Sequence, residues 1–256
     1  MLRKYSNYRS FSDNLKLGTL TAFSAGMVNV ISVIVFFAFT SNVTGHYAIL
    51  AQEIAKGNWY QGAVVLVWIF LFFAGNFTSN CLIIHNNTPT GRYIAHAIPV
   101  FLEMACLMFV GIYLQYFYTE SLKETEFLVA AMLFAMGLQN GLTASISNSK
   151  VKTTHLTGLT TDLGVVFSMF TKKEFRNDKK LIQKAQLLLG IMFSYMAGGI
   201  ISGLLYYKIE NATFIVIGMV LGVVLLYDYS KLQVTRFVQR RRSSFQRRYS
   251  LYDKKA

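Results

Sequence analysis

The sequence predicts an all-α fold: a polytopic membrane helix bundle of about six spanning helices plus two short re-entrant or broken helices, built as two inverted three-span repeats. Three observations predict it. Only 14% of the 256 residues are charged while 54% are hydrophobic, with a mean hydropathy of +0.40, whereas soluble domains carry about 25% charged residues. Charge is absent from four long windows, Leu17 to Gln52, Gly57 to Gly91, Phe127 to Ser149 and Ala185 to Tyr207. Finally, the stretch Thr40 to Lys56, TSNVTGHYAILAQEIAK, recurs at Thr153 to Phe170 as TTHLTGLTTDLGVVFSMF.

Six apolar runs are long enough to cross a bilayer: 17–39, 61–84, 94–117, 127–147, 184–207 and 211–229. Each approaches or exceeds the roughly 18 residues that read as a span. The first follows Arg3, Lys4, Arg9 and Lys16, as a signal peptide would, but it is too long and has no small-x-small exit, so it reads as an uncleaved span. The segments 45–55 and 156–170 are shorter. At about 1.5 Å per residue they fall short of a hydrocarbon core roughly 30 Å thick. Small residues at i, i+4 spacing, Gly18-Ala22-Gly26, Gly199-Gly203 and Gly218-Gly222, suit close helix packing.

Loop charge decides between six crossings and eight. Thr171 to Lys184 holds six Lys/Arg against Glu174 and Asp178, whereas Tyr118 to Glu126 holds Lys123 against three glutamates. Six crossings with both termini inside place Lys150, Lys152, the basic loop and the tail on the cytoplasmic side and Lys123 outside, as the excess of cytoplasmic Lys and Arg requires.

The duplication extends past the short segments. Ala25-Gly26-Met27-Val28-Asn29 parallels Met136-Gly137-Leu138-Gln139-Asn140, and Ala74-Gly75 parallels Ala197-Gly198. Each half therefore reads as span, short segment, span, span, and three crossings per half invert one half relative to the other. The halves are 17–120 and 121–229 of a single membrane domain, 1–229, followed by a basic cytoplasmic tail, 230–256. The two Thr-Gly steps are expected near the midplane, facing each other, because irregular backbone at membrane depth needs protein or water around it.

The net charge of +13 sits mainly at the two ends, which supply +11 of it. Basic flanks of this kind are topology determinants rather than a nucleic-acid face. Cys81 and Cys106 lie in separate apolar runs with no ligand spacing, so neither a disulfide framework nor a metal site is expected. No HExxH, GxSxG, Walker or GxGxxG motif is present. An enzyme and a cofactor are not expected.

Candidate pathway residues follow from the cost of polar groups in lipid, about 2.5–3.5 kcal/mol for a charge at a helix centre. Glu103 lies mid-span, one turn after Pro99 and seven residues after His96, which suggests a proton or cation site paired with His96, or a protonated carboxyl hydrogen-bonded inside the bundle. Asp162 falls in the first two turns of its short segment, with Thr157 as the expected cap; a helix N-terminus stabilises a carboxylate there and also receives anions or polar groups. Glu53, beside Lys56 and Trp59, reads as interfacial. His46 and His155 flank Thr44-Gly45 and Thr157-Gly158 and titrate near neutrality. Asn29 and Asn140 hold matching places on the first span of each half, where an amide pins a short segment or touches a solute.

Ala25 to Asn29, Phe39-Thr40-Ser41-Asn42-Val43-Thr44-Gly45-His46, Phe73-Ala74-Gly75, Gly137 to Asn140 and Thr154-His155-Leu156-Thr157-Gly158 together resemble the YoaK family of membrane proteins, whose function is unknown. The resemblance covers about residues 17–229. Relatives usually carry Asp in place of Asn29 and Asn in place of His46. The resemblance implies a multi-pass protein of the bacterial plasma membrane with about six spans.

The leading expectation is a small secondary transporter or permease, with a pathway for a small solute or ion between inverted halves, lined by Asn29, Thr44, Gly45, His46, Glu103, Asn140, His155, Thr157, Gly158 and Asp162. The alternative is a non-transporting membrane scaffold or regulator whose polybasic tail, Arg240-Arg241-Arg242 and Arg247-Arg248, binds anionic lipid. The bilayer itself is the partner common to both.

Overall fold

A helix in lipid must satisfy its backbone internally, and the caps in this sequence show where each helix is allowed to stop. The structure, a computed structural model, describes residues 10–85, 89–223 and 225–226. The basic tail and Arg3, Lys4 and Arg9 lie outside the described residues. Seven helices are bounded: α1 (Phe11–Phe36), α2 (Val43–Ala55), α3 (Trp59–Ile84), α4 (Pro89–Tyr116), α5 (Leu122–Ser147), α6 (Leu156–Met169) and α7 (Lys179–Ile209). An eighth, α8, runs over 213–223. No strand occurs among the described residues.

The helices extend beyond the apolar runs because polar caps start them early. Ser10 and Asp13 form a reciprocal capping box at α1, so the helix begins six residues before the first apolar stretch. Ser121 caps α5 by accepting from the Glu124 amide, and Asp178 caps α7 by accepting from Lys180. α1 and α5 end alike, each in a left-handed residue, Phe37 (φ 53°) and Asn148 (φ 52°). That reversal turns the chain back on itself.

Among the described residues, five helical runs are long and apolar enough to cross a membrane: α1, α3, α4 from Ile94, α5, and the joined α7–α8 run Lys179–Val223. The expected sixth span is the second part of that run. A single 3-10 turn, Glu210–Ala212, separates it from α7, with Glu210 at φ 46°. Phe70, Phe73 and Phe77 on α3 and Phe193, Ile200 and Leu204 on α7 stand exposed, as side chains meeting lipid should and as a soluble protein would not allow over so large an area. The molecule is a multi-pass helical membrane bundle.

α1 and α5 form its centre: 61% and 72% of their apolar windows are buried, against 28% for α3. Each makes one very close pairing. Gly26 of α1 lies against the Tyr195 carbonyl of α7, and Gly198 returns the contact to the Phe23 carbonyl. Gly75 of α3 lies against the Phe134 carbonyl of α5, and Gly137 returns it to Phe72. These are the repeated glycines, and they meet crosswise: the first helix of each half packs on the third helix of the other. Without a hydrophobic force between helices in lipid, such backbone contact is what association rests on. α8 packs on α4 through side chains instead, Gly218 against that of Met108 and Gly222 against that of Met104.

A Cβ at Gly26 would overlap the Tyr195 carbonyl, so Gly26→Val is expected to lower stability by about 1–3 kcal/mol or more. Gly164, with nothing near its Cβ position, provides the contrast. Gly164→Ala is expected to be neutral or to stabilise by about 0.5–1 kcal/mol, both changes read by thermal unfolding in detergent.

Candidate functional site

Two carboxamides build the site. Asn29 lies seven residues before the end of α1, yet its Oδ1 accepts from the Thr40 amide at 3.0 Å and the Thr40 hydroxyl at 2.9 Å, while its Nδ2 donates to the Ser41 hydroxyl. The chain leaving α1 has therefore doubled back by about two turns, roughly 10 Å, before α2 begins. Asn140 sits seven residues before the end of α5 and accepts from the Thr154 hydroxyl at 3.0 Å and the Thr153 hydroxyl at 3.4 Å. Thr40 and Thr153 are both fully buried. The amides thus replace the water that a non-helical segment would otherwise need.

From these anchors α2 and α6 start inside the bundle and run outward, and their first turns meet across one cavity of about 470 Å³. Residues at matching places of the two halves line it together: Ser41 and Thr154, Asn42 and His155, Val43 and Leu156, Thr44 and Thr157, and Phe72 and Tyr195. Asn29, Phe39 and Tyr47 complete the wall. Tyr195 and Asn29 share this wall. Hydroxyls, amides and one imidazole supply the polar surface; among the described residues no Asp, Glu, Lys or Arg lines it.

The Thr-Gly steps are helical rather than turns: Thr44-Gly45 and Thr157-Gly158 are the second and third residues of α2 and α6. Asn42 caps α2 by accepting from the Gly45 amide at 3.3 Å. The expected cap of α6, Thr157, is displaced by His155, which makes no side-chain capping bond. The difference follows from residue type, since Asn carries an acceptor at the right reach and a His ring does not readily turn onto the same amides.

Four expected pathway residues line the cavity: Asn29, Thr44, His155 and Thr157. Asn140 stands behind it, engaged with Thr153 and Thr154. Gly45 packs on Asn42, and Gly158 has His155 Nδ1 at 3.9 Å from its Cβ position. His46 turns away; it is buried, its Nε2 lies 2.9 Å from the Phe39 carbonyl, and its ring meets Trp68 edge-on at 5.6 Å. Asp162 lies on the outer face of α6, in the second turn, 3.4 Å from Lys184, where the helix dipole has largely faded. Glu103 lines neither wall. Its pairing with His96 is not formed, because neither carboxyl oxygen meets a hydrogen-bond partner among the described residues and seven residues of helix separate the two by about 10 Å. Glu53 closes the far end of α2: Lys56 at 3.0 Å, and then Asn58 at 2.7 Å, hold its carboxyl below the usual carboxylate range.

Phe72 and Tyr195 were absent from the sequence-derived candidates although the repeat marks them. Each lies two residues before the duplicated Ala-Gly step. The glycine brings its helix onto a neighbour's backbone, and the aromatic one turn away is swung into the cavity.

A family model described as "Protein of unknown function (DUF1275)" matches residues 17–227, consistent with the YoaK-like resemblance of the same stretch. No curated protein and no solved structure matches the chain.

Removing the Asn29 amide strands a buried Thr40 amide and hydroxyl. Asn29→Ala is expected to cost about 1–3 kcal/mol, and a double-mutant cycle with Thr40→Val should return a coupling of about 1 kcal/mol. The matched cycle of Asn140→Ala with Thr154→Val should return less, because Thr154 is half-buried where Thr40 is fully buried; unfolding of the four single and two double variants in detergent measures both.

Proposed function

The chain belongs to the DUF1275 family, and we propose that it is a non-enzymatic permease that passes a small solute through the cavity between the first turns of α2 and α6. One observation carries this reading: the cavity is walled by equivalent residues from the two halves, so its lining is the place where the duplication converges. A site between repeats, approached by broken helices, is the arrangement that lets a membrane protein expose one binding place to either side in turn. The crosswise glycine pairings support it too, since each half is held by the other and can rock only as part of a pair.

In this reading the halves sit in opposite senses in the bacterial plasma membrane, with both termini cytoplasmic. Lys123 then faces outward, while Lys150, Lys152 and the loop before α7 face inward. Thr44 and Thr157 contact the solute; Asn29 and Asn140 hold the segments that present it; Asp162 with Lys184 steadies α6 from outside.

The full-length protein in proteoliposomes, screened with uncharged polar solutes and small anions, is expected to pass at least one of them. Thr44→Trp and Thr157→Trp, which fill the cavity from opposite walls, should each cut that flux at least about tenfold, a change of roughly 1.4 kcal/mol, while leaving the folded yield intact. No flux for any solute, or flux indifferent to both substitutions, defeats the proposal. Cysteines at Lys123 and Lys152 test the orientation: an impermeant thiol reagent added to intact cells should reach the first and spare the second.

A further inference from the structure

The buried stripe of α4 runs Ala95, His96, Val100, Glu103, Leu107, Val110 and Leu114, and all are at most 5% exposed. Glu103 is 1% exposed, set between Val100 and Leu107, and both its oxygens lack a hydrogen-bond partner among the described residues. An ionised carboxylate so placed would be an uncompensated charge in an apolar medium, far costlier than the neutral acid. Even the neutral acid loses its water bonds without replacement, a net cost to the fold. The fold gains nothing from this carboxyl.

Two neighbouring features give it a use. Pro99, one turn earlier, lies inside α4 and removes the amide that would bond the Ala95 carbonyl, which leaves a hinge beside the carboxyl. Cys106, one turn later, forms part of the wall of an apolar groove of about 630 Å³ between α3 and α5, beside Trp68, Ala130 and Phe134. The groove brings the surroundings of the bundle to within one helical turn of Glu103.

We propose that Glu103 is a proton-binding site in the apolar interior, loaded in this structure, and that its unloading moves α4 about Pro99. Release sends the proton to water and leaves a carboxylate that this packing cannot hold, so the charged state requires α4 to shift until the oxygens meet water or a donor. Loading reverses the sequence. Among the described side chains, the titratable groups on α4 and on the elements packed against it are His96, Cys106, Tyr113 and Tyr116 on α4; Lys123, Glu124 and Glu126 at the start of α5; Tyr60 and Cys81 on α3, with His85 just beyond it; and Glu210 in the turn before α8, whose described part carries none. The site is independent of the permease reading and needs no solute for its test.

The probe is a hydrophobic carbodiimide on the full-length protein in native membranes. The acid proton of Glu103 passes to a carbodiimide nitrogen, the carboxyl oxygen bonds the central carbon, and the adduct rearranges to a stable N-acylurea, with nothing leaving. Peptide mapping is expected to find the adduct on Glu103 and none in Glu103→Gln. Over roughly pH 5.5 to 8.5 the labelling rate should fall about tenfold per unit above the site's midpoint. Glu103→Leu should unfold at the same temperature as the parent or higher. No label on the folded protein, a rate flat across that range, or a destabilised Glu103→Leu each overturns the proposal, the last two by making Glu103 a fixed structural acid. Labelling as expected without any solute flux would leave the proton site standing and count against the permease alone.

Discussion

The amide of Asn29 on Thr40, repeated by Asn140 on Thr153 and Thr154, is the interaction on which the rest depends. A chain that stops being helical inside a lipid-embedded bundle leaves backbone donors and acceptors without water, and each needs a partner. One carboxamide offers acceptor and donor together, so it can hold both the amide of a returning strand and the hydroxyl beside it. The lock fixes how deep α2 and α6 begin. That depth sets where their first turns meet, and their meeting makes the cavity.

Around the locks, the glycine contacts determine the shape of the wall. Gly26 against Tyr195 and Gly75 against Phe134 bring helices of different halves to backbone contact, closer than side-chain packing permits. Phe72 and Tyr195 stand one turn from those contacts and so point into the same space from opposite sides. Local sequence, the Ala-Gly step, thereby controls tertiary geometry at the site although the glycines themselves do not line it.

The long helices were legible because lipid demands apolar length, and the duplication was legible because its two copies keep Thr-Gly, Ala-Gly and Asn at matching places. Helix starts were less so: hydropathy places the first span at Leu17, but Ser10 and Asp13 start α1 at Phe11 through hydrogen bonds that a hydropathy average does not contain. The residues lining the cavity were legible where they belong to the repeat, as with Thr44 and Thr157. Charged residues weighed on their cost alone lie away from it. Asp162 finds Lys184 across the α6–α7 pair, a partner twenty-two positions away that no spacing rule reveals, and Glu103 finds none. His46, adjacent in sequence to Thr44-Gly45, is rotated off the cavity by one helical step and spent on Phe39 and Trp68.

The crosswise pairing also bears on how the molecule is made. α1 leaves the ribosome well before α7, yet the backbone it must touch belongs to α7. α3 likewise waits for α5. The backbone contacts of α1 and α3 can therefore form only once the second half has entered the bilayer. Two separately expressed halves would have to find each other in the membrane before either could close, so the covalent link near Ser121 does more than join two copies: it raises the local concentration of the one partner that each half requires.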